Sequence, residues 1–114
     1  MDWVEKIQKA IEKYIEHIKY VQHFSDKTIE SYNFDLQNFN KFLINNRIDF
    51  KNVTSEDVLD YINNLKRNHY KITTLNRKIV CLRSFYKYYV INVDDSIKNP
   101  MINYNTIKTP KRLP

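Results

Sequence analysis

The chain has 114 residues, 42% of them hydrophobic, which is enough for one domain with its own core and excludes a disordered segment. A single cysteine excludes an internal disulfide framework, and 19 Lys and Arg against 13 Asp and Glu give a net charge of +6, which favours polyanions as partners. No apolar run approaches the roughly 20 residues that cross a bilayer, and residues 1–16 alternate apolar and charged side chains instead of forming a leader, so a soluble, cytoplasmic protein is expected.

Glycine is absent, which disfavours tight hairpins and with them a β-rich fold. Four amphipathic segments follow one another. The first covers about residues 3–21, with Asp2 as N-cap and Trp3, Ile7, Ile11, Tyr14, Ile15, Ile18 and Val21 on one stripe. The second covers about residues 26–45, capped by Ser25, with Ile29, Tyr32, Leu36, Phe39 and Leu43 facing inward. A loop over residues 46–53 leads to Thr54-Ser55-Glu56-Asp57, a capping-box pattern that opens a short third helix with Val58, Ile62 and Leu65 inside, ending near Arg67. Asparagines stand where glycine would otherwise stop a helix: Asn45-Asn46, Asn68 and Asn92.

The fourth segment, about residues 72–91, gathers Leu75, Ile79, Leu82, Phe85, Tyr86, Tyr89 and Val90 on one side and turns Thr73, Arg77, Ser84 and Tyr88 the other way. Lys78 and Arg83 flank the apolar stripe, from which long cationic side chains can reach outward. Val80 and Cys81 fall on the outward arc, which a purely solvated face does not need. The pattern predicts an all-α domain, and by itself leaves open whether the helices form a bundle or an orthogonal cluster.

Thr73, Thr74, Asn76, Arg77 and Lys78 combine hydroxyl, amide and cationic groups at a helix start, where free N–H groups and the positive dipole end favour phosphate. They fit a helix entering a DNA groove, and they equally fit a solvated helix start. Ser25, Lys27, Thr28 and Ser31 at the second helix make a similar set, although capping alone accounts for Ser25. His17, His23, His69 and Cys81 lack ligand spacing, so no metal is expected. Tyr14, Tyr32, Tyr86 and Tyr89 sit at core spacing, and no phosphate loop, nucleophile elbow or carboxylate pair is present, so no catalytic residue and no cofactor are expected.

The order of the motifs is more specific than any one of them. Ser25-Asp26-Lys27-Thr28-Ile29-Glu30-Ser31-Tyr32-Asn33-Phe34-Asp35-Leu36, followed by Phe39 and Phe42-Leu43, resembles the S-x-x-T-x-x-x-Y-x-x-D-L-x-x-F-x-x-F helix of tyrosine recombinases, the phage-integrase family. Val53-Thr54-Ser55-Glu56-Asp57-Val58 resembles the opening of that family's next helix. Thr74-Leu75-Asn76-Arg77-Lys78-Ile79 and Leu82-Arg83-Ser84-Phe85-Tyr86-Lys87-Tyr88 resemble its T-I-N-R-K-L-S-A-L-R-S-F-Y-K-Y run. Asn99-Pro100 and Pro110-Lys111-Arg112-Leu113-Pro114 resemble its linker. The likeness covers residues 12–114 and is nearest to Xer-like members.

The resemblance implies a SAM-like orthogonal bundle of four helices over residues 1–98, the core-binding domain, and an extended linker tail over residues 99–114. It implies one jaw of a clamp on double-stranded DNA, held by the second and fourth helices. Carried over by position, Thr28, Ser31, Thr74, Asn76, Arg77, Lys78 and Arg83 are the expected contacts; Lys27 and Thr73 join them from charge and from the helical wheel. Two departures stand out: Lys71 replaces a capping Ser, and Val80-Cys81 replace a small Ser-Ala pair. In the family, the strand-cutting Arg, Lys, His and nucleophilic Tyr belong to the domain after the linker, so this segment is expected to bind DNA without performing chemistry. The simpler Xer-like organisation, with no separate arm-binding domain before the first helix, is the expected one. Other recombinase protomers on DNA are the expected protein partners, with no membrane and no small-molecule substrate; a helical module for protein–protein assembly is the alternative.

Overall fold

The structure, a computed structural model, describes residues 2–108, with side chains from Trp3 onward. Met1 and the Pro110-Lys111-Arg112-Leu113-Pro114 motif lie outside the described residues. Four helices follow in order, α1 (Asp2–Tyr20), α2 (Asp26–Asn45), α3 (Ser55–Arg67) and α4 (Ile72–Asn92), with a 3-10 turn at Phe50–Asn52 and no strand among the described residues. They form a body of 50 × 33 × 22 Å. Its thin direction is about two helix diameters.

Helix starts follow the expected chemistry. Ser25 Oγ accepts the Thr28 N–H at 3.2 Å and caps α2. Thr54 Oγ1 accepts the Asp57 N–H at 3.2 Å while Thr54 N–H donates to Asp57 Oδ2 at 2.9 Å, completing the capping box of α3. Lys71 precedes α4 with no side-chain cap, as the missing serine implied. Asp2 is already inside α1 and so is not its N-cap.

The stops show how a chain without glycine turns. Asn46, Asn68 and Asn92 each send a side-chain amide back one turn, to the carbonyls of Phe42, Asn64 and Tyr88 at 2.8, 2.9 and 3.1 Å. Those are carbonyls a helix end leaves short of partners. After α2 and α3 the left-handed position falls to the next residue, Arg47 (φ 54) and His69 (φ 63). Ile48 N–H then reaches the Leu43 carbonyl and Tyr70 N–H that of Leu65, both in the Schellman pattern. His23 (φ 55) turns the chain after α1.

The core is built from Ile7, Ile11, Tyr14 and Ile18 of α1, Leu36, Phe39 and Leu43 of α2, Val58 and Ile62 of α3, and the predicted stripe of α4. Val21, expected on the first stripe, lies beyond the helix and is exposed. α4 packs against each of the other three helices, so its surroundings decide most of what the surface presents. The segment after α4 stays on the body: Ile97, Pro100 and Met101 are buried.

Candidate nucleic-acid interface

α2 and α4 meet along a seam whose contacts pair low numbers with high ones. The Cys81 thiol donates to the Tyr32 carbonyl at 3.7 Å, and Asp35 meets Arg77 and Lys78. The helices therefore run in opposite chain directions where they touch. The N-terminal turns of α4 thus lie toward one end of the seam and those of α2 toward the other.

At the centre of the seam stands Asp35, buried at 3% exposure on the inner edge of α2. Arg77 grips it side-on, Nε to Oδ2 at 2.9 Å and Nη2 to Oδ1 at 2.8 Å. Lys78 Nζ donates to Oδ1 at 3.0 Å. The Lys78 ammonium also lies over the rings of Phe34 and Tyr70, 5.4 and 5.6 Å from their centres. Hydrogen bonding to Asp35 raises the Arg77 pKa further, so the guanidinium is charged at every ordinary pH.

The expected contact residues fall into distinct situations. Lys27, Thr73 and Arg83 are exposed; Thr74, Ser31 and Arg77 are half-buried. Thr28 is half-buried with its hydroxyl accepting from Ser25 Oγ at 2.9 Å, so it belongs to the cap of α2. Lys78 does not reach outward. It is 1% exposed, because Asp35 and two aromatic rings hold its head inside. Cys81 likewise leaves the outward arc for the core at 0% exposure: α2 covers that side of α4, and burial pushes the thiol pKa well up. Val80 does face outward.

Asn76 is engaged by the tail. Its Nδ2 donates to the Ile107 carbonyl at 2.9 Å and its Oδ1 accepts the Ile107 N–H at 2.7 Å, so one side chain holds the chain as a neighbouring strand would. Replacing Asn76 by Ala should speed amide exchange at Ile107 by about tenfold, the equivalent of one to two net hydrogen bonds, with little change in helix protection. Hydrogen exchange read residue by residue would show it; unchanged protection at Ile107 would mean that packing alone holds the tail.

Arg83 lies about 120° around α4 from Arg77, at about 100° per residue. With Lys87 it lines a groove of about 560 Å³ between α4 and the docked tail, which contributes Met101 and Ile102. The two arginines thus address different sides of one helix. Asp35 was not among the expected site residues. Its signal was present: a carboxylate three residues after Tyr32 and four before Phe39 stands on an apolar stripe, where it needs a cation. Among the described residues no group of His, Cys, Asp and Glu is gathered as a metal would require, and no helix is long and apolar enough to cross a membrane.

A four-helix SAM-like architecture with a charged α2–α4 seam defines the class, and comparison with known proteins gives the family. Residues 11–91 match the family described as phage integrase, N-terminal SAM-like domain, and the chain belongs to that family. It is similar to the tyrosine recombinase XerC of Staphylococcus aureus, 36% identical over 103 residues that make up 90% of this chain and 34% of that protein. The tyrosine recombinase XerC of Staphylococcus saprophyticus is 36% identical over 111 residues, 97% of this chain and 36% of that protein. The chain spans about a third of the length of the curated relatives it matches. No solved structure gives a significant match.

Proposed function

We propose that the chain is the DNA-binding core-binding domain of a site-specific tyrosine recombinase, gripping duplex DNA along the α2–α4 seam in the cytoplasm. The observation that carries this reading is the half-exposed Arg77 fork on a buried carboxylate, between the polar N-terminal turns of α4 and α2, in a chain of net charge +6. Strand cutting belongs to residues this segment does not contain, and its own part is to hold DNA for them. The contacts are Lys27, Thr28, Ser31, Thr73, Thr74 and Arg77 by the seam and Arg83 on the neighbouring side of α4, with Asn76 and Lys78 acting through the tail and through Asp35. Phosphate contacts dominate such a surface, so binding by the segment alone is expected in the roughly micromolar to sub-millimolar range and to weaken steeply with salt.

Fluorescence anisotropy of labelled duplex DNA tests this, with the parent chain and an Arg77→Ala/Arg83→Ala double variant at two salt concentrations. The parent should bind more weakly at higher salt, and the variant should lose most of its affinity, with a salt slope smaller by about 1.8, or about 0.9 for each phosphate contact removed. Equal affinity and equal slope for the two proteins would refute the assignment of DNA contacts to α4.

A second reading rests on a separate patch. Tyr20 (66% exposed), Val21 (64%) and Ile91 (67%) stand at the C-terminal ends of α1 and α4, joined across the surface by Tyr88. Such a patch suits contact between protomers. Light scattering with and without DNA separates the readings: oligomers that form without DNA favour assembly, and DNA-dependent assembly favours the clamp.

A further inference from the structure

Three charged side chains meet at one point of the seam, and their exposures differ. Arg77 is 39% exposed, Asp35 2% and Lys78 1%. Lys78 approaches the carboxylate from the inside and Arg77 from the solvent side. A guanidinium paired side-on through Nε and Nη2 leaves the Nη1 end of its fork directed away from the carboxylate. One carboxylate facing two cations also carries one net positive charge. Because Lys78 balances Asp35 from within, the charge on Arg77 is not cancelled. An Asp35–Arg77 pair alone would be neutral and would attract a phosphate weakly.

We infer, granted the DNA-binding reading above, that Asp35 and Lys78 are positioning residues for Arg77: Asp35 fixes the fork so that its outer end meets a phosphate oxygen, and Lys78 keeps that end positively charged. Neither touches DNA, and Arg77 stays on Asp35 in the complex. A fork already held in place also loses less rotamer freedom on binding, a saving of the size that immobilising one long side chain otherwise costs.

The test compares the parent chain with Asp35→Asn, Lys78→Met and Arg77→Ala by anisotropy on labelled duplex DNA at two salt concentrations, with folding checked by far-ultraviolet circular dichroism. D35N adds one positive charge to the domain, so charge alone predicts tighter binding. Loss of positioning predicts the opposite, roughly two- to tenfold weaker binding. K78M should lower the salt slope by about 0.9, as R77A does, even though its ammonium is buried. If R77A binds less well while D35N binds as tightly as the parent or tighter, the inference fails and the DNA-binding reading stands. If the parent shows no binding at low salt, both fail.

A measurement on the parent chain keeps the question open to refutation should a variant not fold. The Arg77 Nε–H proton, shielded by Asp35, should exchange slowly by NMR both before and after DNA is added. Rapid exchange in the complex would show that Arg77 leaves the carboxylate for the DNA, which overturns the positioning role.

Discussion

Replacing Asp35 by Ala should lower the unfolding free energy by about 3–5 kcal/mol, the range found when one partner of a buried ion pair is removed. Lys78 is the reason. Its head is 1% exposed and its hydrogen bond goes to Asp35, so the variant would leave a cation inside the body with only the faces of Phe34 and Tyr70 beside it. Arg77 would suffer less, since it can turn to water. For a domain whose whole stability is of order 5–15 kcal/mol, the loss is large enough to move the melting temperature by well over about 10 °C. Thermal melting followed by circular dichroism measures it. A drop of less than about 1 kcal/mol would mean that water reaches the ammonium and that the triad is superficial. The paired substitution Asp35→Leu/Lys78→Met should restore most of the stability, because replacing both members by apolar groups removes the stranded charge with its partner.

The second large effect is expected at Phe50. Residues 46–53 read as a connector in sequence, without periodicity, yet Phe50 is 0% exposed. Its ring meets Tyr89 edge-on at 5.0 Å and lies 6.4 Å from Phe85, and its carbonyl accepts the buried Tyr86 hydroxyl at 3.0 Å. The 3-10 turn therefore plugs the C-terminal half of α4 and ties the loop to it. Phe50→Ala should cost about 3–5 kcal/mol by opening a cavity that α4 cannot close without losing its other partners. Urea unfolding should show a lower midpoint with an unchanged slope, since the surface exposed on unfolding is the same. A midpoint near that of the parent would mean that the loop collapses into the gap.

What could be read in advance followed from local rules. Ser25 and Thr54-Asp57 announced two helix starts because capping is decided within four residues. The core stripe of α4 was legible because period 3.6 needs no partner to be recognised. The family was legible from motifs in order, which is a property of the line of residues. What stayed hidden depends on what lies opposite. Lys78 sits on the edge of its stripe, and nothing within one turn says that Asp35, 43 positions earlier, will draw it inside. Cys81 looked outward because the side of α4 that α2 covers cannot be deduced from α4 alone. Asn76 had the chemistry of a DNA contact, but the backbone of Ile107, 31 positions later, satisfies both ends of its amide. Among the expected contact residues Lys27, Thr73 and Arg83 are exposed, and Asp35 is the buried partner of Arg77 that the pattern of α4 alone does not show.

The left-handed residues His23, Arg47 and His69 bear on the other side of the folding equilibrium. Each holds a conformation that costs a residue with a side chain roughly 1–2 kcal/mol. Glycine would relieve that strain in the folded turn, but it would also widen the range of shapes open to the denatured chain. Residues with side chains restrict that ensemble, by about 0.4–1 kcal/mol per site where alanine replaces glycine. A sequence with no glycine anywhere therefore begins from a stiffer denatured state and has less backbone disorder to give up. The strain in these turns is set against an entropy term that no contact in the folded body reveals.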